Sequence, residues 1–220
     1  MEKCYFNGVC TKVPCDGMLC VRYLEFQTLL NLSNIPKAYI PYRELSVPPV
    51  DEEAFEKLAG IQKNIIQFVE SGGSLYLWSR NCGNGKTTVA TKLLKSYFGA
   101  VWAGNGFRRR GYFTHIPTFL QRLKDNISEK NGIEDIKQIM RNVDCLVCDD
   151  IAVKAVSEFE GEVLLSLIDD RLANKRATIY TSNSSGEALE AVWGKRMASR
   201  VYNASQVIKF KGIDMRGKND

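Results

Sequence analysis

The 220-residue sequence has room for one ordinary domain and a small appendage. Hydrophobic residues make up 45% of it, as a globular core requires, and no apolar run approaches the roughly 20 residues of a membrane-spanning helix. The net charge of +5 permits a nucleic-acid partner without requiring one. The first residues lack a signal-peptide pattern, so we expect a cytoplasmic protein whose cysteines are reduced.

The first twenty residues hold a cluster of cysteines: Cys4, Cys10, Cys15 and Cys20. Four thiolates can complete a closed tetrahedral Zn²⁺ site, and a segment this poor in apolar residues needs such a link to fold. The spacing is looser than the paired C-x2-C of common zinc ribbons. A zinc site and a set of surface thiols in a disordered leader therefore both stay open, with zinc preferred.

The next segment leads into the main domain. Residues 21–32 are consistent with a short helix, and the proline-punctuated stretch 33–49 indicates an arm that lies on the next domain or on a partner. Asp51 is placed to cap a helix. Apolar residues at helical spacing from Phe55 to Val69 predict that this helix continues to a pair of glycines at 72–73.

A strand, a glycine loop and a helix follow in the order that a P-loop requires. Residues 75–78 are apolar or aromatic, and residues 87–98 carry apolar side chains at helical spacing. One departure from the usual pattern is Arg80, which stands where the first glycine is expected. The predicted nucleotide contacts are Asn81, Cys82, Gly83, Asn84, Gly85, Lys86, Thr87 and Thr88.

Each part of this loop has a chemical role. Gly83 and Gly85 let the backbone turn its N–H groups around phosphate oxygens at the positive end of the following helix. Lys86 can then reach the β- and γ-phosphates of ATP, and the Thr87 hydroxyl can ligate Mg²⁺.

Residues 102–111 are glycine-rich and contain the run Arg108 to Arg110. A solvated turn and a contact to the backbone of single-stranded DNA are both compatible with this composition. The following strand contains His115, the only histidine, which we interpret as structural because no partner is visible in the sequence. Thr118 is expected to cap a helix over residues 119–127.

The next strong signal is an apolar run that ends in Asp149 and Asp150. Such a run indicates a buried parallel strand with its carboxylates at the edge where ligands bind in open α/β sheets. Asp149 is then suited to hold Mg²⁺, and Asp150 to orient or deprotonate the attacking water. Cys145 and Cys148 lie three apart on this strand, so they face opposite ways and are interpreted as core thiols.

The last third of the sequence adds two groups of interest. After a predicted helix over residues 159–172, a strand ends in Asn183, whose amide would lie beside the acidic pair if the two strands are neighbours. Residues 193–202 indicate a short helix with Arg196 and Arg200 on one face. Strands are predicted at residues 75–78, 112–116, 143–148, 178–181 and 206–210, which gives an α/β fold with a five-stranded parallel sheet covered on both faces.

Taken together, these motifs resemble the AAA+ ATPases. The matching pieces are Asn-Cys-Gly-Asn-Gly-Lys-Thr, Leu-Val-Cys-Asp-Asp, Tyr-Thr-Ser-Asn and Arg-Met-Ala-Ser-Arg. A closer resemblance is to the DnaC/DnaI-type loaders of replicative helicases, particularly phage-type members. It is carried also by Leu-Tyr-Leu-Trp-Ser, Ile-Pro-Thr-Phe-Leu, Asp-Asp-Ile and Phe-Lys-Gly-Ile-Asp-Met-Arg, over residues 20–217.

The resemblance implies a set of roles. Lys86, Asp150, Asn183 and Arg200 would form the catalytic group, with ATP and Mg²⁺ as ligands and Thr87 and Asp149 at the metal. Arg200 would be the arginine finger that reaches the nucleotide of a neighbouring subunit. Asp150 stands where many AAA+ enzymes have Glu, so slow hydrolysis is expected. Arg216 is a weak candidate for a sensor arginine, because little or no C-terminal lid is expected.

The implied task is to bind a DnaB-type hexameric helicase with ATP and deliver it to single-stranded DNA, in a bacterial cell or a phage-infected one. Residues 1–49 would contact the helicase, and residues 50–220 would form the ATPase domain, which assembles into homo-oligomers when ATP and helicase are bound. Two alternatives stay open. One is a transposition helper ATPase, and the other is an adaptor that binds ATP without hydrolysing it.

Overall fold

The computed structural model describes residues 20–41, 47–101, 108–125 and 131–212. The five strands are β1 (Ser74–Trp78), β2 (Gly111–His115), β3 (Cys145–Ile151), β4 (Ala177–Ser182) and β5 (Gln206–Lys209). All neighbouring strands are parallel, in the order β2-β3-β4-β1-β5. The predicted five-stranded parallel sheet is therefore confirmed.

Helices cover both faces of this sheet. They are α1 (Val21–Leu32), α2 (Glu52–Lys63), α3 (Ile65–Glu70), α4 (Lys86–Ala100), α5 (Ile116–Asp125), α6 (Asn131–Asn142), α7 (Glu158–Ala173), α8 (Gly186–Trp193) and α9 (Lys195–Ala198). A π-helical turn, Ser199–Asn203, continues α9, and short 3₁₀ turns lie at Lys37–Tyr39 and Pro49–Asp51.

Alternating side chains of the strands divide the core in two. Leu75 and Leu77 of β1 pack with α1 to α4 on one face. Tyr76 and Trp78 pack with α5 to α9 on the other. This alternation follows from the two-residue period of a strand, and burial on both faces explains why residues 75–78 of β1 are all apolar or aromatic.

The same period separates the two cysteines of β3. Cys145 lies in the core beneath α4, and Cys148 lies in the opposite core. Burial raises the pKa of each thiol to about 12, so neither is a thiolate at neutral pH. Their interpretation as core thiols is confirmed.

The helical segment before β1 differs from the prediction. The single helix expected to run to the glycine pair is two helices, α2 and α3, which meet at Asn64. The Asn64 side chain donates to the carbonyl of Gly60 at 3.1 Å, and its backbone N–H is shared between Gly60 and Ile61. An asparagine that competes for backbone acceptors in this way interrupts a helix.

Two further helices were misplaced or missed. α5 begins at Ile116, not at Phe119, and the Thr118 hydroxyl bonds to His115 instead of capping a helix. α6 was not predicted, although Ile133, Ile136 and Met140 have helical spacing.

The arm before α2 lies on the sheet and covers one of its edges. β2 is an edge strand, and its Phe113 N–H donates to the carbonyl of Ser33 at 2.7 Å. The Asn34 side chain donates to the carbonyl of Phe113 at 2.9 Å. These bonds satisfy part of the strand's outer backbone, which would otherwise be open to pairing with another chain.

A buried lysine holds the next part of the arm. Lys95 of α4 donates to the carbonyls of Tyr39, Ile40 and Pro41 at 2.8, 3.2 and 3.3 Å. Burial removes water from its ammonium group and lowers the pKa of that group. The three carbonyls replace the lost water as hydrogen-bond partners. Over its described part, the arm therefore lies on the domain that contains the sheet.

A buried arginine ties together the starts of β3 and β4. Arg171 of α7 is 1% exposed and donates to the carbonyl oxygens of Met140, Val143 and Ala177 and to the Thr178 hydroxyl. Burial lowers the pKa of this guanidinium. Its partners set the mutual position of the two strands that carry the acidic pair and Asn183.

We expect Arg171→Ala to lower the free energy of unfolding by about 3 kcal/mol or more, because several buried acceptors lose their donor at about 1–3 kcal/mol each. Chemical denaturation measures this. Lys57→Ala, which removes an exposed i,i+4 ion pair with Glu53, should leave the same quantity nearly unchanged. Equal losses in the two variants would contradict the role given to Arg171.

Candidate nucleotide-binding site

The loop between β1 and α4 has the backbone of a P-loop. Gly83 and Gly85 have φ angles of 70° and 86°, in the left-handed region that glycine adopts without a Cβ clash. α4 begins directly after Gly85, at Lys86. The strand, loop and helix occur in the predicted order, and the loop lies at the positive end of α4.

Lys86 lies folded over this loop. Its side chain is largely buried, and its Nζ donates to the carbonyl of Asn81 and to Oδ1 of Asn84, both at 3.1 Å. The Asn84 Nδ2 atom is buried and has no hydrogen-bond partner among the described residues. A cation and an unsatisfied donor in one loop suit an anionic ligand.

The first acid of β3 connects three elements. Thr87 of α4 and Thr181 of β4 both donate their hydroxyls to Oδ1 of Asp149, at 2.8 and 2.7 Å. Burial raises the pKa of Asp149, although these two hydrogen bonds act in the opposite direction. Thr181 was not singled out from the sequence, where only its place in Tyr-Thr-Ser-Asn marked it.

The second acid has an unusual backbone. Asp150 has φ of 60° and lies in a bulge of β3, where the register against β4 shifts between Cys148 and Ile151. Its N–H donates to the Thr181 hydroxyl at 3.0 Å. The bulge lets adjacent acids differ in exposure: Asp149 is buried, whereas the Asp150 side chain is 41% exposed.

His115 faces this second acid, a partner that the sequence did not reveal. β2 ends beside β3 with His115 opposite Asp149 in the register. The His115 Nε2 atom lies 3.6 Å from Oδ2 of Asp150, and Nδ1 lies 2.8 Å from the Thr118 hydroxyl. The contact could not be seen in the sequence because it depends on β2 and β3 being neighbours.

Asn183 lies at the end of β4, next to the P-loop. Its Nδ2 donates to Sγ of Cys82 at 3.6 Å, and its Oδ1 is buried without a hydrogen-bond partner among the described residues. β3 and β4 are neighbours, as the placement of Asn183 beside the acids required. An unsatisfied amide oxygen at this position can accept a hydrogen bond from a water molecule or a ligand.

These residues line one cleft of about 580 Å³. Its lining residues are Pro36, Tyr39, Cys82, Gly83, Asn84, Gly85, Lys86, Thr87, Thr88, Phe113, His115, Asp149, Asp150 and Asn183. The cleft thus brings together the predicted P-loop contacts from Cys82 to Thr88, both acids and Asn183. Asn81 does not line it, and its side chain points instead to the carbonyl of Gly212.

The donor set fits a nucleotide with Mg²⁺. Backbone N–H groups, Lys86 and the orphan Asn84 amide suit phosphate oxygens. The Thr87 hydroxyl and the Asp149 carboxylate are oxygen ligands of the kind that Mg²⁺ takes together with substrate phosphates and water. Among the described residues, including those of the cleft, no group of three or more His, Cys, Asp or Glu side chains could hold a metal ion by itself.

Comparison with known proteins places the chain in a family. Residues 28–220 match the model of the IstB-like ATP binding protein family. The chain belongs to this family. Among curated proteins, it is similar to the replicative helicase loader DnaC of Escherichia coli K12, with 28% identity over 87 residues. That match spans 39% of this chain and only 36% of the relative.

Solved structures share the fold of this IstB-like chain. The crystal structure of a DnaC helicase loader has a TM-score of 0.64 and 24% identity, and covers 80% of this chain and all of the other. A putative primosome component from Streptococcus pyogenes serotype M3 has a TM-score of 0.61 and 25% identity, over 86% of this chain and 98% of the other. The predicted likeness to AAA+ proteins of the DnaC type is thereby confirmed for the fold.

Arg200 lies outside the cleft in this IstB-like domain. Arg196 and Arg200 both approach Asp169 of α7, so the expectation that they share a face is confirmed. Nε of Arg200 donates to Oδ1 of Asp169, and its Nη1 donates to the carbonyl of Arg196 at 3.3 Å. The predicted helix is interrupted by Gly194, and Arg200 lies in the π-helical turn.

The arginine run contacts the protein itself. Arg108 and Arg110 donate to the carboxylate of Asp144 at 3.0 Å. Arg109 donates to the carbonyl of Leu32 at 2.8 Å, and its guanidinium lies 5.8 Å from the centre of the Tyr112 ring. The three guanidinium groups thus bind groups of the protein itself, although the Arg108 side chain is 54% exposed, and a contact to nucleic acid stays a prediction.

Two expectations concern features outside this cleft. Cys4, Cys10 and Cys15 fall outside the described residues, and Cys20 precedes α1 as a free thiol, so the zinc site stays a prediction. Arg216 also falls outside them.

None of the helices that the structure describes has the length and apolar character needed to cross a bilayer.

We expect Asp149→Asn to raise the free energy of unfolding of the protein without Mg²⁺ or nucleotide, because the variant removes a buried charge and keeps an oxygen acceptor. Folding raises the pKa of Asp149, so its buried charge destabilises the folded protein at pH values above the raised pKa. This destabilisation disappears as the pH falls through the raised pKa towards the ordinary value of 3.8. Urea denaturation between pH 7.5 and about 4 should show the advantage of the variant shrinking. Asp135→Asn, at an exposed position, is the control, and an advantage independent of pH would contradict the assignment.

Proposed function

We propose that the protein is an ATP-dependent loader of the replicative DNA helicase onto single-stranded DNA. The observation that supports nucleotide binding is the hydrogen bond of 2.8 Å from the Thr87 hydroxyl to Oδ1 of Asp149, beneath the P-loop. The loader part is supported by the similarity to DnaC and to a putative primosome component. Its partners would be a DnaB-type helicase, single-stranded DNA and further copies of this chain, in the cytoplasm.

The residues of the cleft divide the work of ATP hydrolysis. Gly83 to Gly85 and Lys86 hold the phosphates, while Thr87 and Asp149 hold Mg²⁺, which supplies charge neutralisation to the phosphates. Asp150 takes a proton from the attacking water or orients it. Asn183 orients the same water through its unsatisfied oxygen, or the terminal phosphate through the N–H groups of its amide.

Slow turnover is consistent with the position of Asp150. Its side chain is one methylene shorter than the glutamate of many AAA+ enzymes, and His115 lies 3.6 Å from its carboxylate. A contact that restrains the base and a shorter reach both disfavour proton transfer in the resting protein. A loader whose ATP-bound state persists would hold the helicase for longer.

The first prediction concerns ATP itself. Lys86→Ala should weaken ATP binding by about 10- to 100-fold, because it removes a charged donor worth about 1.5–3 kcal/mol. Asp150→Asn should bind ATP normally and hydrolyse it about a hundredfold more slowly. Calorimetry and a phosphate-release assay measure the two effects. Turnover that is unchanged in both variants would exclude this cleft as the ATPase site.

A second prediction concerns subunits. Arg200→Ala should bind ATP normally and lose hydrolysis by at least about tenfold, less than the 10³–10⁵ of other arginine fingers if Asp150 limits the rate. Mixing it with Lys86→Ala protein should restore some turnover, since each variant supplies what the other lacks. Arg196→Ala, which loses the neighbouring and more exposed arginine, is the matched control. An assembled mixture without activity would show that Arg200 acts in cis or not at all.

The third prediction tests the task. The purified protein should co-purify with a DnaB-type helicase in the presence of ATP, and less so without ATP or with Lys86→Ala. It should then promote helicase binding to single-stranded DNA. Association with a transposase on duplex DNA instead would indicate a transposition helper ATPase. Helicase binding without any turnover would indicate a non-hydrolysing adaptor.

A further inference from the structure

Asp51 is a buried carboxylate whose predicted role was wrong. The sequence places it as the N-cap of α2, but its side chain makes no capping bond there. The residue is 2% exposed. Its Oδ1 accepts the N–H of Lys211 at 2.6 Å, and its Oδ2 accepts the N–H of Gly212 at 2.9 Å. Both amides lie beyond β5, about 160 residues along the chain.

The segment that Asp51 holds runs past the start of the P-loop. β5 pairs with β1, and the N–H of Phe210 extends this pairing to the carbonyl of Trp78 at 2.8 Å. A Cβ on Gly212 would lie 2.6 Å from Oδ2 of Asp51 and 3.1 Å from Cγ of Pro48. The close approach of the carboxylate to this backbone therefore requires glycine at residue 212.

Gly212 in turn holds the P-loop. Its carbonyl accepts the Nδ2 hydrogen of Asn81 at 2.9 Å. The Asn81 N–H donates to the Ser79 hydroxyl at 3.1 Å, and the Asn81 carbonyl accepts from Nζ of Lys86 at 3.1 Å. Hydrogen bonds thus run without interruption from Asp51 through Gly212 and Asn81 to the P-loop lysine.

This link lies where the loop departs from the usual pattern. Arg80 replaces the first glycine of the P-loop motif, and Asn81 is the next residue. The Asn81 side chain fixes the backbone at the loop entry through its hydrogen bond to the segment after β5. Rigid support of this kind keeps binding groups at the separation that their ligand needs.

We propose that Asp51 is a positioning residue for nucleotide binding, which acts through Gly212 and Asn81 to hold the P-loop entry and Lys86 in place. The inference rests on the proposed function, since it assumes that the cleft binds ATP. Asp51 itself touches neither the cleft nor the phosphates. Its effect on ATP must therefore pass through Asn81, which distinguishes it from a group that only stabilises the fold.

The test is a double-mutant cycle in the full-length protein. Asp51→Asn, Asn81→Ala and the double variant are compared with wild type for the Kd of a fluorescent ATP analogue with Mg²⁺. Asp51→Asn turns one acceptor into a donor opposite a backbone N–H and breaks the hold on residues 211–212. Glu53→Gln, two residues away in an exposed ion pair, is the matched control and should leave the Kd unchanged.

We expect each single variant to raise the Kd about tenfold, within the hundredfold that a misplacement of about 1 Å can cause. The Kd of the double variant should be about equal to the higher of the two single-variant Kd values, because both changes break the same link. Gly212→Ala should raise the Kd similarly. Additive effects of Asp51→Asn and Asn81→Ala, or a Kd unchanged in either, would overturn the proposal.

Unfolding without nucleotide separates positioning from stability. Asn81 is exposed, so Asn81→Ala should leave the free energy of unfolding unchanged while it raises the Kd. If Asp51→Asn does not fold, an unchanged Kd in Asn81→Ala still overturns the proposal. If wild type itself shows no saturable binding, the proposed function fails. If wild type binds, Lys86→Ala binds more weakly and Asp51→Asn matches wild type, only this inference fails.

Discussion

One carboxylate oxygen connects the elements on which the candidate site depends. Oδ1 of Asp149 accepts hydroxyl hydrogens from Thr87 at the start of α4 and from Thr181 in β4. The junction exists because β4 lies between β1 and β3, so the carboxyl ends of all three strands meet at one edge. Burial raises the pKa of Asp149, although the two hydroxyls act in the opposite direction, and its carboxylate is an oxygen ligand suited to a cation.

Several other buried charges are held by backbone groups instead of hydroxyls. Lys95 donates to three carbonyls of the arm, Arg171 donates to carbonyls at the starts of β3 and β4, and Asp51 accepts two amides beyond β5. A buried charge requires partners that replace its water, and backbone groups outside regular pairing require partners as well. Each such contact satisfies both needs. Those of Lys95 and Asp51 fix segments near the cleft, and those of Arg171 fix the opposite ends of β3 and β4.

The parts of the site that lie close together in the chain were predictable. Gly83, Gly85 and Lys86 follow a strand and open a helix, and the local pattern predicts how the backbone must turn. The roles of His115 and Asp51 were not predictable. His115 faces Asp150 because β2 lies beside β3, and Asp51 binds a segment about 160 residues away. Neither contact leaves a mark in the sequence around the residue.

The sequence by itself determined the apolar strands, most of the helices and the loop chemistry, because periodicity and glycine placement act over a few residues. It did not determine the break at Asn64, the existence of α6 or the bulge that separates Asp149 from Asp150 in exposure. Only the tertiary structure decided that Arg108 and its neighbours bind the protein itself and that Asp51 binds the segment after β5. These outcomes depend on which elements become neighbours, and a buried charge takes its partners from whichever backbone the packing brings to it.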